Sequence, residues 1–314
     1  MTIRTFAPGD DAAQVSIYNE AAADFPKFKP AALDEVRRRV RGPDFDPGTR
    51  FFAVEGGRPA AYMTFHPNGR VSYPWARKGA ERWQGPLCDA VLGEMRTRGL
   101  PSAFAAYRGD WPAPRDFFLG RGFRQTREMI NYILDLAEMP TPAARAGSAV
   151  APLTAADVPG VFALCPSAFR ARDAAELGRC LLHNPYFPPG AAFVLRSRTS
   201  GAPVALGLAV ADPSYADPSQ LDPAMPCFRL GAVGTEGTTT KRINGVFSFV
   251  AADGRDVSAL ALDLLGHAAV KLEDATVETF AAQVCSDQAH LVRFYKQFFR
   301  RQPGFPLYEL ALTE

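Results

Sequence analysis

Two stretches of this chain, 177 residues apart, read as copies of one segment. The first is Asp116-Phe117-Phe118-Leu119-Gly120-Arg121-Gly122-Phe123, followed by Ile130-Asn131-Tyr132-Ile133-Leu134. The second is Arg293-Phe294-Tyr295-Lys296-Gln297-Phe298-Phe299, followed by Pro306-Leu307-Tyr308-Glu309-Leu310. Each predicts a short helix ending in paired aromatics, a turn and a closing strand. A repeat at this distance calls for two similar domains rather than one large one. The length of 314 residues agrees, since it suffices for two domains that each bury a core.

Both halves show the same order of elements. In the first, the pattern predicts a strand at Ile3–Phe6 and a helix at Asp10–Ala23, whose acidic start suits the positive end of its dipole. A second helix spans Ala31–Arg41, with Ala32, Leu33, Val36 and Val40 on one face. A hairpin follows, Arg50–Val54 and Ala60–Phe65 around Glu55-Gly56-Gly57-Arg58. Then come a strand at Val71–Trp75, a helix at Gly85–Thr97, a strand at Ala103–Tyr107, the aromatic helix and a strand at Met129–Leu136. The second half offers Val150–Leu153, a helix capped by Thr154, a helix at Asp173–Leu182 and a hairpin of Phe193–Arg196 and Val204–Leu208. Strands at Val246–Val250 and Glu278–Val284 and a helix from near Gln288 complete it. The expected domains are 1–138 and 150–314, joined by a Pro-rich and small-residue linker at 139–149. Pro59 and Pro203 occupy matching places only 144 residues apart, so the second half carries an insertion, placed at 212–244. It is either a lid or a plain surface loop.

Composition excludes several classes. A net charge of +2 makes no case for nucleic acid or an anionic membrane. The five cysteines and four histidines are scattered, without metal-ligand spacing, and a disulfide framework is not expected. No apolar run is long enough to span a bilayer, and the start at Met1-Thr2-Ile3-Arg4 has no signal-peptide pattern, so a cytoplasmic location is the expectation.

The order strand–helix–helix–hairpin–strand–helix–strand–helix–strand, found twice, resembles the GNAT superfamily of acyl-CoA-dependent N-acetyltransferases. In that family the helix after strand five carries an aliphatic-Tyr pair, then a Gly-Phe turn and the final strand. Phe117-Phe118 and Gly122-Phe123 match in the first half, with Phe for Tyr; Phe294-Tyr295 and Phe298-Phe299 match in the second, without the glycine. The resemblance implies an α/β fold of two tandem domains, each a twisted mixed sheet with helices on both faces. The family's phosphate-binding signature, Arg/Gln-x-x-Gly-x-Gly/Ala, uses small residues so that backbone N–H groups and a helix N-terminus meet the CoA pyrophosphate. Both halves depart from it: Gly79-Ala80-Glu81-Arg82-Trp83-Gln84 in the first, Asp253-Gly254-Arg255-Asp256-Val257-Ser258 in the second.

The resemblance further implies that acetyl-CoA, as co-substrate, enters between strands four and five of the second half and meets Phe249, Val250, Arg255, Val257 and Ser258. Tyr295 is then the proton donor to the departing thiolate, a role for which a phenol with a reference pKa of about 10 is suited; the other reading is a core aromatic. Phe118 has no proton to give, which makes the first half a supporting domain. Glu278, Asp287 and Glu236 are candidates for the general base, although Ser286 and Asp287 also suit a helix cap. Cys285, Asp287 and His290 contain a thiol, an acid and an imidazole, but proximity in sequence does not make a triad. The expected function is transfer of an acetyl group to a small-molecule amine or an amino terminus by the second half. The alternative is an inactive GNAT-like binding or interaction protein. The oligomeric state is left open.

Overall fold

A computed structural model describes all residues except 1, 43–44, 141–149, 167–168, 170, 172, 185–186, 212–244, 253–256, 273–276 and 314. The insertion at 212–244, Glu236, Arg255 and most of the expected linker lie outside the described residues. The chain divides into two compact units: Met1–Glu128 with Phe305–Glu314, and Met129–Gly304. The division differs from the continuous halves expected from sequence, because each unit takes its closing strand from the other half of the chain.

The first unit opens with β1 (Thr2–Thr5), α1 (Asp10–Ala21) and α2 (Leu33–Val40). β2 (Arg50–Glu55) and β3 (Arg58–Thr64) form the expected hairpin, and Gly56 and Gly57 both have positive φ, 57° and 77°, as a tight two-residue turn requires. β4 is only Trp75–Ala76, where a strand over Val71–Trp75 was expected. The reason is local. The Ser72 hydroxyl, not a backbone carbonyl, accepts the Thr64 N–H at 2.9 Å, and Pro74 has no N–H to continue a ladder. α3 (Gln84–Thr97), β5 (Ser102–Ala106) and α4 (Pro112–Gly120) follow. α4 stops where Gly122, at φ 84°, lets the Phe123 N–H return to the Phe118 carbonyl at 3.1 Å. β5 pairs antiparallel with the end of β12 (Arg300–Ala311), from Ala106 opposite Leu307 to Ser102 opposite Ala311.

The second unit is a sheet covered on both faces. β6 (Arg124–Asp135) enters it at Met129 and pairs antiparallel with β11 (Thr279–Cys285) along its length. β7 (Val150–Pro152), β8 (Ala192–Arg196), β9 (Pro203–Val210) and β10 (Gly245–Ala251) complete the order β6-β11-β10-β9-β8-β7. α5 (Val158–Leu164) and α6 (Ala174–Leu182) pack on one face with Val194, Leu206, Val246 and Val250. α7 (Val257–Lys271) and α8 (Ala289–Phe298) pack on the other with Phe193, Phe247, Phe249 and Phe280. Burial from both sides explains why β8 to β10 read as nearly unbroken apolar runs instead of alternating ones. Thr154 and Asp157 form the capping box that starts α5.

Candidate functional site

The sheet of the second unit forks. β10 and β11 run parallel, yet they pair only at Gly245 with Phe280 and Val246 with Ala281. Beyond that level β10 stays with β9 as far as Ala251, and β11 stays with β6 as far as Cys285. The backbone groups of β10 that face β11 therefore lose their strand partner in the middle of a buried sheet. The open end of the fork lies at the C-terminal ends of both strands. α7 starts just beyond the end of β10, so its N-terminal dipole is directed at that end, with no acidic residue among the described residues of its first turn.

Tyr295 fills the fork from the α7–α8 face. Its ring packs on Phe249 (5.5 Å between centroids), Phe299 (5.0 Å) and Tyr132 (5.4 Å), and the residue is 1% exposed. Its hydroxyl is buried and makes no hydrogen bond of normal geometry. Burial pushes its pKa up, and the neighbouring Ser248 hydroxyl and Phe249 backbone offset part of that rise.

The other expected site residues distribute around this point. Phe249 and Val250 lie on β10 past its last pair with β11, facing opposite sides of the sheet. Val257 and Ser258 open α7. Glu278 is exposed and precedes β11 at the closed end of the fork, where its carbonyl accepts the Leu136 N–H at 2.9 Å. Asp287 is exposed in the turn between β11 and α8, at the open end. The cap position of α8 is Gln288, not Ser286 or Asp287, and its side chain does not cap. The Nε2 of His290 is buried without a hydrogen-bond partner, so that nitrogen activates neither Cys285 nor any other described group. No cluster of metal-ligating side chains exists among the described residues, and no described helix is long and apolar enough to cross a membrane.

No protein-family model matches the chain, and no curated protein matches its sequence. Solved structures do match its fold. A GCN5-related N-acetyltransferase from Sphaerobacter thermophilus aligns over 100% of this chain and 96% of its own, with 16% identity and a TM-score of 0.61. A tandem GNAT protein from the clavulanic acid biosynthesis pathway aligns over 100% and 99%, with 13% identity and a TM-score of 0.52. A GCN5-related glucosamine N-acetyltransferase region of a fungal multi-domain β-N-acetylglucosaminidase aligns over 98% of this chain but 38% of its own, with 13% identity and a TM-score of 0.63. The chain has a tandem GNAT fold.

The two GNAT-like units differ at corresponding places. In the first, Phe118 takes the position of Tyr295 and is sealed by Tyr107, Phe123 and Tyr308. The Tyr107 hydroxyl accepts the Tyr73 N–H, a backbone donor at the level where the second unit's β10 is left unpaired. In the loop before α3, the Glu81 carboxylate accepts the Gly79 N–H at 3.0 Å and Arg82 donates to the Gly79 carbonyl at 2.7 Å. The first unit thus satisfies these backbone groups with its own side chains. The Tyr73, Trp75 and Trp111 rings are buried in its core.

Sequence reasoning did not single out Ser248 or Gln283. Each is the one uncharged hydrogen-bonding side chain in the interior of an apolar strand, and that isolation was the available signal.

Proposed function

We propose that the second unit is an acyl-CoA-dependent N-acyltransferase, with acetyl-CoA as donor and an amine as acceptor. The observation that carries this reading is the buried, unpartnered hydroxyl of Tyr295 in the fork between β10 and β11. The likeness to solved N-acetyltransferases supports it at the level of fold. The residues present fit such a donor. The edge of β10 past Val246 offers backbone N–H groups to a carbonyl oxygen, and α7 directs its N-terminus, with Val257 and Ser258 in its first turn, at the same opening.

Bound acetyl-CoA would supply an activated thioester. The chain's own residues then have three tasks. β10 holds the carbonyl oxygen and stabilises the negative charge that grows on it as the amine attacks. The walls of Phe249, Phe294 and Phe299 exclude water, so the thioester meets the amine instead of hydrolysing. Tyr295 keeps its proton until charge develops on the sulfur beside it, and donates there. In the first unit Phe118 cannot do this.

Calorimetric titration with acetyl-CoA tests the reading, coupled to thiol release in the presence of amines. One site per chain and amine-dependent thiol release are expected. No binding of any acyl-CoA would leave a non-catalytic GNAT-like protein.

A further inference from the structure

β10 and β11 are apolar strands, and each holds one hydrogen-bonding side chain in its interior, Ser248 and Gln283. Strand alternation puts both on the α5–α6 face. Val246 and Val250, the same-face neighbours of Ser248, join the core under α5 and α6, whereas Phe280, Ala282 and Val284 of β11 join the α7–α8 core. The register brings the two to one level: each lies two residues past the last pair, Val246 with Ala281. They therefore flank the fork at its first open step, on the face opposite the ring of Tyr295.

Hydrogen-bond logic sets the orientation of Gln283. The Pro303 carbonyl can only accept, and Asn131, 3% exposed, donates its Nδ2 to it at 2.6 Å. That turns the Asn131 Oδ1 toward Gln283, which donates its Nε2 at 3.0 Å. Gln283 is left presenting Oε1, an acceptor. Ser248, 2% exposed, neighbours the phenol of Tyr295.

We propose that Ser248 and Gln283 bind the acceptor as a primary amine and that Ser248 passes its proton to Tyr295. The proposal rests on the acyltransferase reading above. An attacking primary amine has one lone pair and two N–H groups. Ser248 Oγ accepts one N–H, Gln283 Oε1 accepts the other, and the lone pair is left facing the thioester carbon in the fork. The nitrogen–carbon bond forms and the carbon–sulfur bond breaks, its electron pair leaving with sulfur. The amine's proton moves to Ser248 as the hydroxyl proton of Ser248 moves to Tyr295 and that of Tyr295 moves to sulfur. Both side chains end as they began, and no carboxylate base is needed. The relay also spares a buried phenol, whose ionisation burial opposes, from standing as phenolate.

The test uses the full chain, acetyl-CoA, and three primary amines of different size: glucosamine, phenethylamine and a short peptide with a free amino terminus. Each is paired with its N-methylated counterpart. Transfer to primary amines is expected to exceed transfer to the N-methylated ones at least tenfold. Gln283→Leu should raise the acceptor KM about 10-fold and leave the acetyl-CoA KM unchanged. Ser248→Ala should lower kcat about 100-fold, the size of a positioned proton-transfer group, with acetyl-CoA affinity within about twofold. Ser248→Thr, which keeps the hydroxyl, should recover most of the rate, and Ser248→Cys serves if the alanine variant fails to fold. Wild-type kcat in Ser248→Ala, or no advantage of threonine over alanine, overturns the relay. Equal use of N-methylated amines overturns the two-acceptor site. Acetyl-CoA binding without transfer to any amine overturns the proposal alone, whereas absence of acetyl-CoA binding overturns the acyltransferase reading beneath it.

Discussion

The hydroxyl of Tyr295 works against folding, because a buried polar atom without a partner costs about 1–3 kcal/mol. Removing it should therefore separate stability from activity. Tyr295→Phe is expected to raise unfolding stability by about 1 kcal/mol while lowering kcat about 100-fold, read by urea denaturation and steady-state kinetics. An ordinary core tyrosine would show neither effect together. Asp157 is the opposite kind of buried group. Burial raises its pKa, but the Thr154 hydroxyl and N–H and the Arg196 guanidinium, 2.6 Å away, outweigh that and hold it below the usual carboxylate value. The unfolded chain thus binds more protons in acid. The stabilisation is present above about pH 4, the unfolded value, and is lost as pH falls through the folded one. Asp157→Asn should melt lower than wild type at pH 7, and the gap should narrow as pH falls below the unfolded value in a series of thermal melts. Tyr295 was legible in the sequence because its segment occurs twice, with Phe118 marking the contrast. Ser248 and Gln283 were not, since a serine and a glutamine in separate apolar runs acquire meaning only when strand register sets them at one level.

The fork depends on how tightly its foot is closed. Gly245 begins β10 opposite Phe280, and a Cβ there would come within 2.6 Å of Val277 Cγ1 and 3.0 Å of the Thr279 carbonyl oxygen. Backbone cannot give way as a flexible side chain does. Gly245→Ala should destabilise the protein by about 1–3 kcal/mol. Gly93→Ala is the control: it lies inside α3 with nothing within 4 Å of its added Cβ, and should be neutral or stabilising by up to about 1 kcal/mol. Chemical denaturation of both variants checks the contrast, and equal losses would show that close approach at the foot is not what matters. Elements with strong periodicity were legible: the hairpins, the aromatic helices and the buried strands of the second unit. The fork itself was not, because the strands on either side of it look alike whether or not they pair. The short β4 was hidden too, since Pro74 and the Ser72 side chain cut a run whose aromatics otherwise favour a strand.

The two halves exchange their closing strands, and this has a consequence that continuous domain boundaries miss. The repeat revealed two domains but not which copy of the closing strand serves which, because Ile130–Leu134 and Leu307–Leu310 are similarly apolar and fit either place. In the structure Met129–Asp135 pairs with all seven residues of β11 and contributes Ile130, Tyr132 and Leu134 to the second unit's core. A fragment of 150–314 would lack them. It would leave β11 as a bare edge carrying Phe280, Ala282 and Val284, the kind of apolar edge that recruits other chains. It should therefore aggregate, whereas a fragment of 129–314 should yield more soluble protein with a cooperative melt. The reciprocal deletion, ending the chain at 304, removes Leu307–Ala311 from β5 and Tyr308 from beneath Phe118, and should unfold the first unit. Size-exclusion chromatography and circular dichroism on the three truncations decide the matter. A monomeric, cooperatively melting 150–314 would mean that the strand from the first half is dispensable and that the second half folds on its own.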